Sequence, residues 1–307
     1  MQKLVVIVGP TAVGKTALSI KIAKQFNGEI VSGDSMQIYR GLDIGTAKAT
    51  SVEQGQAPHH LIDIADPTEN YSAAKFVQAA QKAIDEIASR GKLPILVGGT
   101  GFYVQALLGD RPLAVVPDVL DPEFVAHWTQ IAHEEGEETV RSALKAVDPI
   151  SEARILPGQI RRLIRALLVS THTGHPFSSL QPESKRRYDA SIIGLTTERS
   201  ILYDRINQRV DLMMTTGILD EAKFVQTLPA DSTAQRAIGY KELFDYLAGV
   251  SSYKDAVAKL KQNSRRYAKR QMTWFNNQFT DIHWYDIVQS PDQLDQILDQ
   301  LNEFMLE

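Results

Sequence analysis

Gly9-Pro10-Thr11-Ala12-Val13-Gly14-Lys15-Thr16 sets two glycines, a lysine and a hydroxyl at the spacing Gly-x-x-x-x-Gly-Lys-Thr. This pattern lets a backbone turn tightly enough for successive N–H groups to point into one cavity, at the positive end of a following helix. Lys15 adds a mobile positive charge, and the Thr16 hydroxyl stands where a magnesium ion bridges to phosphate. The chemistry implied is binding of a di- or triphosphate. Arg205 and Arg209, four residues apart, share one face of a predicted helix. Two arginines beside a phosphate loop can clamp the charge of a leaving phosphate. Their other reading is helix-surface pairing with Asp204 and Asp211, and spacing does not choose between the two.

These groups need a scaffold. The five apolar residues Leu4-Val5-Val6-Ile7-Val8 read as a buried parallel strand feeding the loop. Leu18, Ile22 and Phe26 recur at helical spacing after it, and Asn27-Gly28 stops that helix. Glu29-Ile30-Val31-Ser32 is a second strand, followed by Gly33-Asp34-Ser35-Met36-Gln37. In an open parallel sheet the residues just past a strand's carboxyl end face the ligand crevice, which brings Asp34 and Gln37 toward the phosphate loop. Asp34 could equally cap a helix or hold a magnesium-bound water. A long loop is expected over 41–66, with structural roles for His59 and His60, and an amphipathic helix over 72–89.

Leu93-Pro94-Ile95-Leu96-Val97 is a third strand, running into Gly98-Gly99-Thr100. A routine phosphate-loop hydrolase carries a magnesium-holding acid at such a strand end. Glycines there argue against one and would let a bulky substrate approach the backbone, with Thr100 offering a hydroxyl. Ser191-Ile192-Ile193-Gly194-Leu195 is a fourth strand, and 282–286 can supply an edge strand. The expected fold is α/β, a P-loop NTPase-like parallel sheet flanked by helices, with an inserted helical lobe. The lobe is expected at 118–157, where nine acidic residues face two basic ones over 118–152 and prolines mark both ends; the acids read as a solvated face. The core then comprises 1–117 and 158–307.

The 307 residues are 43% apolar, enough for a large core, and net charge is −4, so contact with a polyanion must use a local patch. Two patches qualify: the helix carrying Arg161, Arg162 and Arg165, and the stretch 254–275, which holds seven cations and one acid with Tyr267, Trp274 and Phe275 between them. The absence of cysteine excludes disulfides, cysteine zinc sites and a cysteine nucleophile. No basic leader precedes the first strand and no apolar run nears ~20 residues, so a cytoplasmic protein without membrane contact is expected.

Read in order, several segments resemble the bacterial tRNA dimethylallyltransferases, also called tRNA isopentenylpyrophosphate transferases. They are Gly9–Thr16, Asp34-Ser35-Met36-Gln37, Asp43-Ile44-Gly45-Thr46-Ala47-Lys48, His59-His60-Leu61-Ile62-Asp63, Val97-Gly98-Gly99-Thr100-Gly101, Arg161 to Leu167, Ile238-Gly239-Tyr240-Lys241-Glu242 and Lys269-Arg270-Gln271-Met272-Thr273-Trp274-Phe275. The chain departs from the family at Leu156-Pro157-Gly158, where His-x-Asn is frequent, and at Leu168, where Glu is frequent.

The resemblance implies transfer of a dimethylallyl group from dimethylallyl diphosphate to the exocyclic amine of adenosine 37 in tRNAs that read U-starting codons. It makes Asp34 the general base and gives Gln37 the adenine edge to match. Gly9 to Thr16 would hold diphosphate with Mg2+ near Thr16, Arg205 and Arg209 would take up its developing charge, and Thr100 would hydrogen-bond the bridging oxygen or the amine. Asp34, Ser35, Met36 and Gln37, with Arg161, Arg162, Arg165, Lys269 and Arg270, would grip the anticodon stem-loop, on an enzyme acting as a monomer. A small-molecule or nucleotide kinase is the alternative that the phosphate loop alone would equally allow.

Overall fold

Leu4, Val5, Val6, Ile7 and Val8 are all fully buried, and their side chains divide between two cores. Successive strand residues point to opposite faces, so Val5 and Ile7 enter one core and Leu4, Val6 and Val8 the other. A central strand apolar on both sides needs helices on both sides, and that is how the computed structural model is built. It describes residues 1–113, 121–180 and 182–306.

The strands are β1 (Gln2–Val8), β2 (Gly28–Ser32), β3 (His59–His60), β4 (Leu93–Gly98), β5 (Tyr188–Leu195) and β6 (His283–Tyr285). They form one parallel sheet in the order β3-β2-β4-β1-β5-β6. Val8 pairs with Gly98 on one side and Gly194 on the other, and Ser32 pairs with Val97. The carboxyl ends of β1, β2 and β4 are therefore level, and the segments following them meet.

In chain order, α1 (Lys15–Gln25) follows the phosphate loop, α2 (Ser51–Gln54) and β3 interrupt the expected 41–66 loop, and α3 (Ala73–Ser89) precedes α4 (Gly101–Leu108). A four-residue helix and a two-residue strand are too short to carry a periodic signal, which is why that segment reads as plain loop. α3 starts where Ser72 Oγ accepts from Lys75 N at 3.2 Å, and it buries Phe76, Ala80, Ala83, Ile84 and Ile87. α1 covers one face of the sheet, while α3 and α4 cover the other.

Residues 110–185 form a separate compact unit. It contains α5 (Pro122–Glu134), α6 (Glu137–Val147), α7 (Pro149–Arg154) and α8 (Ile160–Thr173). It is wider than the expected 118–157 lobe because the basic helix α8 belongs to it, burying Leu163, Ile164 and Leu167 against Val140 and Leu144. The lobe start expected at Pro117 and Asp118 lies outside the described residues. Nor are its acids simply a solvated face. Asp148, fully buried, accepts from Ser151 N and from Ser178, and Glu137 and Glu152 flank Arg141.

The first unit resumes with α9 (Arg199–Thr216), α10 (Ile218–Gln226), α11 (Phe244–Leu247), α12 (Tyr253–Gln278) and α13 (Gln293–Leu306). Leu202 and Ile206 of α9, with Ile297 and Leu301 of α13, complete the core on the α1 side. Val210, Ile218, Ala222, Tyr240 and Leu260 build a further core with Ile38, Tyr39 and Leu42. Among the described residues, no helix is long and apolar enough to cross a membrane.

Candidate functional site

The site is assembled at the level carboxyl ends of the strands. Gly9 leaves β1 at φ +141°, and a Cβ there would collide with the Leu195 carbonyl oxygen, so both conformation and space require glycine. Lys15 folds back over the loop, its Nζ donating to Gly9 O at 2.9 Å and Pro10 O at 2.7 Å. Burial lowers its pKa to about 7, the charge of Arg209 adding to this and Asp34 opposing it.

Both arginines of α9 reach the loop. Arg205 Nε donates to Ala12 O at 2.8 Å, and Arg209 Nη1 to Thr11 Oγ1 at 3.2 Å. Their shared helical face is thus turned to the loop, and the choice left open by spacing falls on the loop rather than on Asp204 and Asp211; Asp211 instead pairs with Lys261 of α12. Burial, then the neighbouring Arg205 charge, lowers the Arg209 pKa. Three cations therefore converge on one loop, a cluster whose mutual repulsion a multiply charged anion would relieve.

Asp34 follows β2. Its Oδ1 accepts from Met36 N at 2.8 Å, which fixes the turn, and burial raises its pKa although Met36, Lys15 and Gln37 all act to lower it. Thr100 Oγ1 accepts from Ser35 N at 3.2 Å, so the segments after β2 and β4 are joined directly beside Asp34. Gln37 has its amide engaged by the chain itself, taking a bond from Ser32 Oγ at 3.1 Å and donating to Thr46 O at 3.4 Å and Ala47 O at 3.3 Å.

The glycines at the end of β4 serve a different purpose from the expected one. A Cβ on Gly98 would strike the Gly33 backbone, and one on Gly99 would strike the Gln271 amide. What approaches them is the chain's own backbone and side chain rather than a bulky substrate. Gln271 joins the site from α12, a residue that sequence reasoning left without a role. An uncharged residue within a basic stretch carries no signal of its own.

Within the stretch 254–275 the cations divide by helical face. Lys259 pairs with Asp245, Lys261 with Asp211, and Arg265 donates to Asn207, all binding α12 to its neighbours. Arg266, Lys269 and Arg270 line an open groove with Thr273, Trp274, Asn277 and Gln278. Arg270 also lies 5.7 Å over the Tyr267 ring. The groove is cationic and aromatic, a surface suited to nucleic acid. Arg161 and Arg162 are exposed and Arg165 half-buried on α8 of the second unit, where Arg162 donates to Gln159.

A family model described as IPP transferase matches residues 37–278. The chain is 52% identical to a tRNA dimethylallyltransferase of Limosilactobacillus reuteri, over 99% of each chain. It is 51% identical to one of Geobacillus kaustophilus, over 93% of this chain and 91% of that one. It is similar to the solved full-length tRNA isopentenylpyrophosphate transferase of Bacillus halodurans, at TM-score 0.73 and 44% identity over 99% and 97% of the two chains. A eukaryotic dimethylallyltransferase solved acting on tRNA matches at TM-score 0.80 and 29% identity, over 98% of this chain and 78% of that one.

Proposed function

The chain belongs to the IPP transferase family, and from that membership we propose that it moves a dimethylallyl group from dimethylallyl diphosphate to the exocyclic amine of adenosine 37 of tRNA, with diphosphate as the other product. The observation that carries the reading is the convergence of Lys15, Arg205 and Arg209 on the Gly9–Thr16 loop, beside Asp34 and the Ser35–Thr100 bond.

Adenine's amine is a poor nucleophile because its lone pair is delocalised into the ring. As the nitrogen forms its bond to the allylic carbon, the carbon–oxygen bond breaks and its electron pair leaves with diphosphate. Asp34 accepts the amine proton; burial raises its pKa and so makes it a stronger base than an exposed carboxylate. Thr100, oriented by Ser35 N, offers its hydroxyl to the amine or to the bridging oxygen. The loop amides with Arg205 and Arg209 stabilise the charge that develops on diphosphate, and the anion favours the protonated form of Lys15.

Among the described residues no group of three His, Asp or Glu could hold a metal. A magnesium ion still fits the loop, because it characteristically takes most of its shell from phosphate oxygens and water and would need only the Thr16 hydroxyl from the chain. Bound there, it would supply charge neutralisation to the leaving diphosphate.

Gln37, held by Ser32 and the 46–47 carbonyls, supports the wall of the adenine site, with one lone pair of its Oε1 left to accept from the base. The target adenosine must be flipped out of its stack to reach Asp34. Lys269 and Arg270 grip the anticodon stem-loop along the α12 groove, Ser35 and Met36 follow Asp34 in the turn after β2, and Arg161, Arg162 and Arg165 are the cations that α8 offers to RNA phosphate. The enzyme acts as a monomer in the cytoplasm.

The test is to mix protein, magnesium, labelled dimethylallyl diphosphate and an unmodified tRNA carrying adenosine at 37. Label in that nucleotide is expected, and none in a transcript with guanosine there. ATP turnover without prenyl transfer would overturn the reading in favour of a kinase.

A further inference from the structure

α12 presents two faces near its carboxyl end. Arg266, Lys269, Arg270, Thr273 and Trp274 line the outer groove, while Ala268, Gln271 and Phe275 are buried. Gln271 is 5% exposed, and both ends of its amide are used by backbone groups. Its Oε1 accepts from Thr11 N at 2.9 Å, and its Nε2 donates to Gly99 O at 3.0 Å. One side chain thus joins the phosphate loop after β1 to the segment after β4, one residue before Thr100.

The bond to Thr11 N has a direct consequence for the loop. That N–H is committed to Gln271, and the hydroxyl of the same residue is held by Arg209. Thr11 is therefore pinned from its backbone by α12 and from its side chain by α9, and the loop's curvature is set from outside the loop. The two helices are themselves tied by Arg265 to Asn207 and by Lys261 to Asp211. Gly99 belongs to the same device, because any side chain there would occupy the space of the Gln271 amide.

We propose that Gln271 is a positioning residue for the transfer: without touching substrate, it holds the phosphate loop to the end of β4 and thereby sets the loop's affinity for diphosphate. The proposal rests on the reading of Gly9–Thr16 as the diphosphate site. A buried amide satisfied at both ends is well suited to this task, because its loss leaves two backbone groups without partners and lets the joined segments part.

The full chain carrying Gln271→Met keeps the volume and removes both bonds; Gly99→Ala displaces the same amide from the other side. Binding of inorganic diphosphate with magnesium, binding of an unmodified anticodon stem-loop RNA, thermal melting, and KM and kcat are measured for each. The expected result is a roughly tenfold weaker diphosphate affinity, a similar rise in KM for dimethylallyl diphosphate, and kcat and RNA affinity within about threefold, the signature of lost binding that acts equally on ground and transition states. Diphosphate affinity unchanged in either folded variant overturns the inference. So does an equal loss of diphosphate and RNA affinity that tracks a lower melting temperature, since that marks packing alone. Failure of the wild-type chain to bind diphosphate would overturn the functional reading together with this one, whereas wild-type binding that is merely indifferent to Gln271 overturns this one only.

Discussion

Arg209 donates to the Thr11 hydroxyl at 3.2 Å, four residues after Arg205 has reached the Ala12 carbonyl at 2.8 Å. The pair therefore approaches successive residues of the phosphate loop from one helix face. Arg209→Ala and Arg205→Ala are each expected to lower kcat/KM by roughly 10²–10³, about 3–4 kcal/mol, the range for removing a preorganised donor from developing negative charge. tRNA affinity should be unaltered in both. The check is steady-state transfer with labelled dimethylallyl diphosphate beside a binding titration. Wild-type turnover in either variant would remove that arginine from the leaving-group site.

Asp34→Asn keeps the shape of the turn, since an amide oxygen can still accept from Met36 N. It cannot take up a proton, so transfer should fall by roughly 10²–10⁴ with RNA binding retained. Burial raises the Asp34 pKa, and the base must be ionised to act. The rate should therefore fall on acidification at a pH above the ordinary carboxylate range, and the residual activity of the asparagine variant should lack that limb. A pH–rate profile of both proteins decides it.

Much of this site is legible in the residues alone. Leu4 to Val8 announces a strand, the glycine spacing announces the loop, and parallel-sheet topology carries Asp34 and Thr100 to its neighbourhood. Helical spacing shows that Arg205 and Arg209 share a face, but not which way the face is turned; that depends on how α9 packs through Leu202 and Ile206. Gln271 was out of reach for a related reason. Its importance lies in contacts with residues far away in sequence, and an uncharged amide inside a basic stretch has no local pattern. The same holds for Gly98 and Gly99, whose neighbours Gly33 and Gln271 are known only once the chain is folded. The basic stretch itself overstates the groove, because charge counting cannot separate cations that pair with α9 from those that face outward.

Glu29, the second residue of β2, is 4% exposed and meets Arg90 and Lys92 at 2.7 Å and His60 at 2.6 Å. Burial acts to raise its pKa, but the hydrogen bonds from Lys92, His60 and Arg90 outweigh this and lower it to about 2. A carboxylate depressed in the folded state stabilises the fold above its unfolded pKa and loses that contribution as pH falls toward the folded value. Glu29→Gln should thus cost on the order of 2–3 kcal/mol at neutral pH, allowing for solvent screening at the half-exposed Arg90. The deficit should shrink between about pH 4.5 and about pH 2. Urea titrations of both proteins across that window test it; a deficit independent of pH would assign the cost to packing instead.

Lys48 gives the segment between Asp43 and Asp63 its shape. It is 8% exposed, its Nζ donates to Tyr39 O at 2.9 Å, and it pairs with both Asp43 and Asp63. The turn it anchors supplies the Thr46 and Ala47 carbonyls that hold Gln37, and its other side is held by Glu221, which accepts from Ile44 N at 2.8 Å and from the Tyr240 hydroxyl. Lys48→Met retains much of the apolar stem but leaves the Tyr39 carbonyl without this donor and the two carboxylates without their counter-charge. Because both aspartates remain partly solvated, the loss should be about 2–3 kcal/mol, below that of a fully buried pair. Transfer activity should drop further than the folded fraction does, since Gln37 loses its fixed carbonyl partners. Activity measured per folded molecule, with unfolding followed in parallel, separates the two effects: a rate that merely scales with the folded fraction would confine Lys48 to stability and detach the 43–48 turn from the adenine site.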